Sequence, residues 1–186
     1  MTVHPRLLDH PFYQAWTRGE ISRDTLAQYH RAYGEFIEQI PSYWRTVVRA
    51  LHPQSTVPPR VVEEERHHVL LWELWGDDLG APREVVHMKK TLSAFEVMTP
   101  SQLLGALQAF EVQQPEVART KKEGLLKHYG MKEDRLAYFD EHLLEEKHIA
   151  YGGWLADRFA DRQEFEEGFV KGADLIYSSL DLFLSH

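Results

Sequence analysis

Between Asp140 and His148 the chain reads Asp-Glu-His-Leu-Leu-Glu-Glu-Lys-His, a carboxylate- and imidazole-rich stretch among strong helix formers. Residues three or four apart share a helical face, so Glu145 and His148 can aim at one point. Inward-facing Glu-x-x-His pairs are how helical bundles hold iron or manganese in their cores. A second pair stands at Glu65 and His68, and Glu64, four residues before His68, is an equally permitted partner. Either pair alone reads as an ordinary solvated acidic face. Glu111 is harder to dismiss, because its helical neighbours Leu104, Leu107 and Ala118 are apolar. A buried carboxylate needs a cation or hydrogen-bond donors, which a metal, Lys121 or Lys122 could provide. Three helices offering such groups form a less ordinary set. One obstacle remains: His142 and His148 are six residues apart, a rotation of about 120° on a regular helix. Both reach one site only through a bulge or an irregular turn at His142, which makes Glu145 with His148 the firmer pair.

The elements that must carry these groups are all helical. Apolar positions recur at intervals of three and four, and no segment has the alternation of a strand. A short aromatic helix over His10 to Trp16 ends near Gly19, and Ser22 caps a helix to Gln39. Pro41 kinks or breaks that helix before the pattern continues from Ser42 to Leu51. After a proline-rich loop, His52 to Pro59, helices are expected over Arg60–Trp75, Arg83–Glu96, Thr99–His128, Lys132–Ala160 and Arg162–Leu184. Residues 1–186 form a single domain, an all-α bundle, without internal repeats. Tyr13, Tyr29, Tyr33, Tyr43, Tyr138 and Tyr177 read first as core packing.

Composition narrows the chemistry. With 186 residues, of which 43% are hydrophobic, the chain can bury a sizeable core. A net charge of −8 argues against nucleic acid and anionic membranes as partners. No apolar run approaches a membrane span, so the cytoplasm is the expected location. The absence of cysteine excludes disulfides, thiolate metal sites and cysteine nucleophiles.

Longer motifs resemble a known group. His10-Pro11-Phe12-Tyr13-x-x-Trp16-x-x-Gly19-Glu20, Leu26-x-x-Tyr29 and Ile40-Pro41-x-Tyr43 are similar to the haem-oxygenase-like helical proteins, which include TenA thiaminases, pyrroloquinoline quinone synthases and CADD proteins. Phe110-Glu111-Val112-Gln113-Gln114-Pro115, Ala118-Arg119 with Lys121, Tyr138-Phe139-x-Glu141-His142, His68-x-x-x-Trp72 and Tyr177-x-x-Leu180-Asp181-x-Phe183-Leu184 resemble CADD in particular. The resemblance implies a haem-oxygenase-like seven-helix bundle with a dinuclear Fe/Fe or Mn/Fe centre. Carried over by position, its ligands fall on His68, Glu111, His142, Glu145 and His148, with Glu65, or else Glu64, standing in for its first carboxylate. It also implies O2-dependent formation of p-aminobenzoate for folate, with Tyr13 as the sacrificed ring and Lys121 as the nitrogen source.

Three positions depart from that pattern. A second tyrosine falls on Phe110, the first glutamate falls on Val61, and His142 to Glu145 is a spacing of three where the family has four. TenA hydrolases need a cysteine nucleophile, and the quinone synthases bind substrate without metal, so both fit poorly. The expected co-reactants are O2 and a reductant, and a homodimer is common in the superfamily. Two alternatives differ in kind: a di-iron oxidase of a small amine or amino acid, and a metal-free helical interaction module.

Overall fold

Each amphipathic segment must bury its apolar stripe against another, and the computed structural model, which describes residues 5–54, 60–144 and 146–184, does this with helices alone. Its α-helices are α1 (Pro11–Arg18), α2 (Arg23–Leu51), α3 (Arg60–Gly76), α4 (Lys89–Glu96), α5 (Pro100–Glu111), α6 (Gln114–Tyr129), α7 (Ala137–His142), α8 (Glu146–Phe159) and α9 (Arg162–Ser179). Short 3₁₀ turns lie at Leu7–Asp9, Glu133–Arg135 and Leu180–Phe183. Among the described residues there is no strand, and no helix is long and apolar enough to cross a membrane.

Capping residues start several of these helices where local chemistry requires it. Ser22 accepts from the Thr25 backbone N–H, and Asp161 accepts from that of Glu164. Thr99 and Gln102 form a reciprocal capping box at the start of α5. Gly19 closes α1 at φ 73°, the left-handed region that other residues enter at a cost.

Among the described residues the seven expected helices become nine, because two runs are interrupted. Pro115 has no N–H for the Glu111 carbonyl, and its ring crowds that same group. The helix therefore ends at Glu111 and restarts at Gln114, placing the proline in a first turn where it costs little. The second interruption follows His142. Leu143 and Leu144 donate to Asp140 and Glu141, three residues back, at 3.3 and 3.2 Å, and this tightened turn ends α7.

Two boundaries differ for tertiary reasons. Helix α2 runs unbroken through the buried Pro41, where Ile40, Trp44 and Val47 pack into the core and offset the lost hydrogen bond. The stretch expected to start a helix at Arg83 becomes helical only at Lys89. Before that point, the Arg83 N–H donates to Asp24 and His87 bonds Glu35, both at α2.

Helix α5 is the centre of the bundle, buried on every side and packed on α2, α8 and α9. Its approach to α9 is a backbone contact. A Cβ on Gly168 would lie 2.0 Å from the Gln102 carbonyl, and one on Gly105 would lie 2.1 Å from that of Phe165. Neither carbonyl can yield without moving a helix. We expect Gly168→Ala to cost about 3 kcal/mol, the upper end for overpacking, and to lower the melting temperature by roughly 6–12 °C. Gly153→Ala, whose added methyl meets nothing within 4 Å, is the neutral control. Equal melting temperatures would show that α5 and α9 do not pack this closely.

Candidate metal centre

Helix α3 buries Val61, Glu65, His68, Trp72 and Trp75 on one seam, spaced four and three residues apart. The carboxylate and imidazole in the middle of that seam face the interior, and the indoles follow. Helix α8 brings His148 to the same place from 80 residues further along the chain. Ligand atoms of Glu65, His68 and His148 all lie within 4.8 Å of one another, and all three residues are buried. One Glu65 carboxylate oxygen is 2.9 Å from His148 Nδ1, and the other is 3.3 Å from His68 Nδ1. Burial pushes the Glu65 carboxyl up, but the bonds and charges of His148 and His68 outweigh it and hold it down at about 2.

The break after α7 brings the His142 ring beside this three-residue group. Its ring centroid lies 4.3 Å from that of His68, and His68 lies 5.7 Å from His148. At the His142 Nδ1 the partner is the Tyr138 carbonyl, at 2.7 Å. A carbonyl can only accept, so Nδ1 carries a proton and donates it in this bond. Glu111, on the last turn of α5, is 1% exposed and lies outside the three-residue group. Its Oε1 accepts from the Trp44 indole at 3.4 Å. Glu145 falls outside the described residues.

The two residues expected to react also meet. Lys121 on α6 is buried with its Nζ 5.5 Å from the centroid of the Tyr13 ring, 5.2 Å from Tyr29, 5.1 Å from Tyr33 and 5.7 Å from Trp72. Lys122, its neighbour, instead pairs with Asp140 and Glu133. Burial pulls the Lys121 ammonium down to about 7, so a large share is the neutral amine near neutral pH. Burial likewise raises the phenols of Tyr13, Tyr29 and Tyr33 well above their ordinary range. The Tyr13 and Tyr29 hydroxyls are 3.2 Å apart.

Helix α1 is fixed so that Tyr13 stays there. The Trp16 indole donates to the Lys121 carbonyl at 3.2 Å, and His10 caps the helix while reaching Asp181 at 3.1 Å. Trp72 and Tyr138 lie between the two clusters. Tyr138 is 4.1 Å from the His142 ring and 4.9 Å from Trp72, and Trp72 is 6.0 Å from Tyr29. Sequence reasoning missed Trp72, Tyr29 and Tyr33 as walls of the lysine chamber, since aromatic residues in helices are usually core. It also missed Trp44, whose indole reaches Glu111 only once α2 and α5 pack together.

The donor set is oxygen and imidazole nitrogen, which suits iron and manganese. A family model described as iron-containing redox enzyme matches residues 62–178, spanning α3 to α9. The chain belongs to this family. Proteins similar to it include the 4-aminobenzoate synthase of Nitrosomonas europaea, 29% identical, with 94% of this chain and 84% of that one covered. The 4-aminobenzoate synthase of Chlamydia pneumoniae is 26% identical over 96% of this chain and 88% of its own. In the fold, this redox-enzyme chain matches a TenA homologue from Pseudomonas syringae pv. tomato with a TM-score of 0.75 at 16% identity, covering 96% and 86% of the two chains. A haem-oxygenase-like domain from Shewanella denitrificans gives 0.71 at 16% identity, covering 94% and 84%. The bundle is therefore haem-oxygenase-like.

Proposed function

We propose that the chain is an O2-dependent dinuclear metal oxygenase that forms 4-aminobenzoate, taking the ring from Tyr13 and the amine from Lys121. The observation that carries this reading is the lysine chamber: a buried amine, its ammonium pulled down to about 7, that lies 5.5 Å from the ring of a buried tyrosine. A buried lysine is costly unless it has work to do. The relatives named 4-aminobenzoate synthase supply the product.

In this reading Glu65, His68, Glu111, His142, Glu145 and His148 hold two iron ions, or one manganese and one iron. When bound, the metals supply the reduction of O2, with electrons from an external reductant. The chain does the rest. Burial excludes water from both clusters and keeps the Tyr13 phenol protonated at physiological pH. The Tyr29 hydroxyl, 3.2 Å away, orients that phenol. The four rings around Lys121 confine its amine, and the Trp16–Lys121 bond keeps α1 and α6 in step. Consuming Tyr13 makes each chain a reagent for one turnover.

The test is to produce the protein with ring-labelled tyrosine, load it anaerobically with Fe(II), with and without Mn(II), and admit O2. We expect labelled 4-aminobenzoate at no more than one per chain and a matching change in intact mass, both lost in Tyr13→Phe. Labelled product from Tyr13→Phe would overturn the choice of tyrosine. O2 consumption with Tyr13 intact, supported by an added amine or amino acid, would show an external substrate instead.

A further inference from the structure

Glu64 and Glu65 are adjacent, and both carboxylates reach His148, but at opposite ends of its ring. Glu65 lies 2.9 Å from Nδ1, on the side shared with His68. Glu64 lies 3.0 Å from Nε2. The two glutamates also differ in setting. The Glu65 side chain is 3% exposed, whereas that of Glu64 is 29% exposed and is held from the solvent side by Arg60 Nε at 2.6 Å. Spacing along α3 allows either glutamate to pair with His68; only the imidazole arriving from α8 tells them apart.

We infer that Glu64 is a positioning residue: it holds the proton on His148 Nε2, so that Nδ1 presents its lone pair to the metal beside Glu65 and His68. This inference rests on the metal reading proposed above. The physical basis is general. A ligating imidazole has two nitrogens, and the hydrogen bond made by one fixes which nitrogen the metal meets. A carboxylate behind the ring also raises its basicity as a ligand. His142 is fixed differently, since its Nδ1–H donates to the Tyr138 carbonyl, which makes Nε2 the nitrogen a metal would meet. The two histidines would then bind through different nitrogens, His148 through Nδ1 and His142 through Nε2. The Arg60–Glu64–His148 chain makes the His148 side of the site the one whose geometry is set from the surface.

The test compares Mn(II) affinity, by competition with a chelator, for the wild type, Glu64→Ala, Glu64→Gln and Glu65→Ala. Glutamine keeps a carbonyl that can accept from Nε2–H, so its affinity should stay within a few-fold of wild type. Alanine removes the acceptor and should weaken binding about 10–100-fold, and Glu65→Ala should weaken it further. Nitrogen-15 spectra of the protein loaded with diamagnetic Zn(II) give a second readout. They should show a protonated, slowly exchanging His148 Nε2 and a metal-bound Nδ1, with the slow exchange lost in Glu64→Ala. Wild-type affinity in Glu64→Ala with loss in Glu65→Ala would overturn the role of Glu64 alone. Loss in Glu64→Gln as deep as in Glu65→Ala would overturn it too, because Glu64 would then be a ligand. No binding by the wild type would instead overturn the metal reading on which the inference stands.

Discussion

Glu65→Ala is expected to leave the protein folded and unable to retain metal. Its carboxylate is the group on which His68 and His148 converge, with one oxygen toward each imidazole. A cation entering between them meets an oxygen donor on α3 and nitrogen donors on α3 and α8, and it takes over the position that the carboxylate now neutralises. Loss of a partner behind a ligand typically costs 10–100-fold in metal affinity. Loss of a direct carboxylate ligand, which also carries charge, should exceed about 100-fold. Metal content after anaerobic loading and desalting reads this directly. Glu65→Gln keeps the shape without the charge and should fail as well. Retention in Glu65→Ala at the wild-type level would remove Glu65 from the ligand set. Loading should also weaken as the pH falls, because protons compete with the metal for its ligands.

The second large effect has opposite signs for activity and stability. Lys121→Met should abolish product formation while making the protein more stable. The ammonium is pulled from 10.5 to about 7 by burial, so folding must release a proton or bury a charge. At about 1.36 kcal/mol per pKa unit, the cost approaches 5 kcal/mol below pH 7. The four surrounding rings attract the cation and offset part of this, which leaves an expected gain of roughly 1–4 kcal/mol for methionine.

The pH dependence follows from the same shift. Between about pH 7 and 10.5 the unfolded chain binds the proton and the folded chain does not. Lys121 therefore contributes a rise in wild-type stability with pH across that window, and the full cost is present below it. Denaturant unfolding at several pH values should show this slope, and Lys121→Met should remove it. An unchanged slope in the variant would mean that Lys121 is charged when folded, and its role as a neutral amine would fall with it.

Much of this protein is legible along the chain because helices are local objects. Ser22, Thr99 and Asp161 mark helix starts through bonds to residues three positions away. His68 can be paired with Glu64 or Glu65 on one helical face, because residues three and four apart share it. Glu111 stands out because a carboxylate among leucines must be buried, whereas Pro115, four residues on, interrupts a helix that the pattern carries on to His128.

What required the tertiary structure is every relation between helices. No glycine or proline announces the turn at Leu143–Leu144, yet that turn lets His142 approach His68. Glu64 and Glu65 cannot be distinguished by spacing, since their difference lies in which end of the His148 ring each one meets, 84 and 83 residues away in the chain. The Lys121 chamber draws its walls from α1, α2 and α3. Its consequence, an ammonium pulled far below its ordinary range, is a property of burial that no local pattern contains. Periodicity fixes which face of a helix turns inward; crossing and close approach, such as the glycine contact of α5 with α9, decide what that face meets.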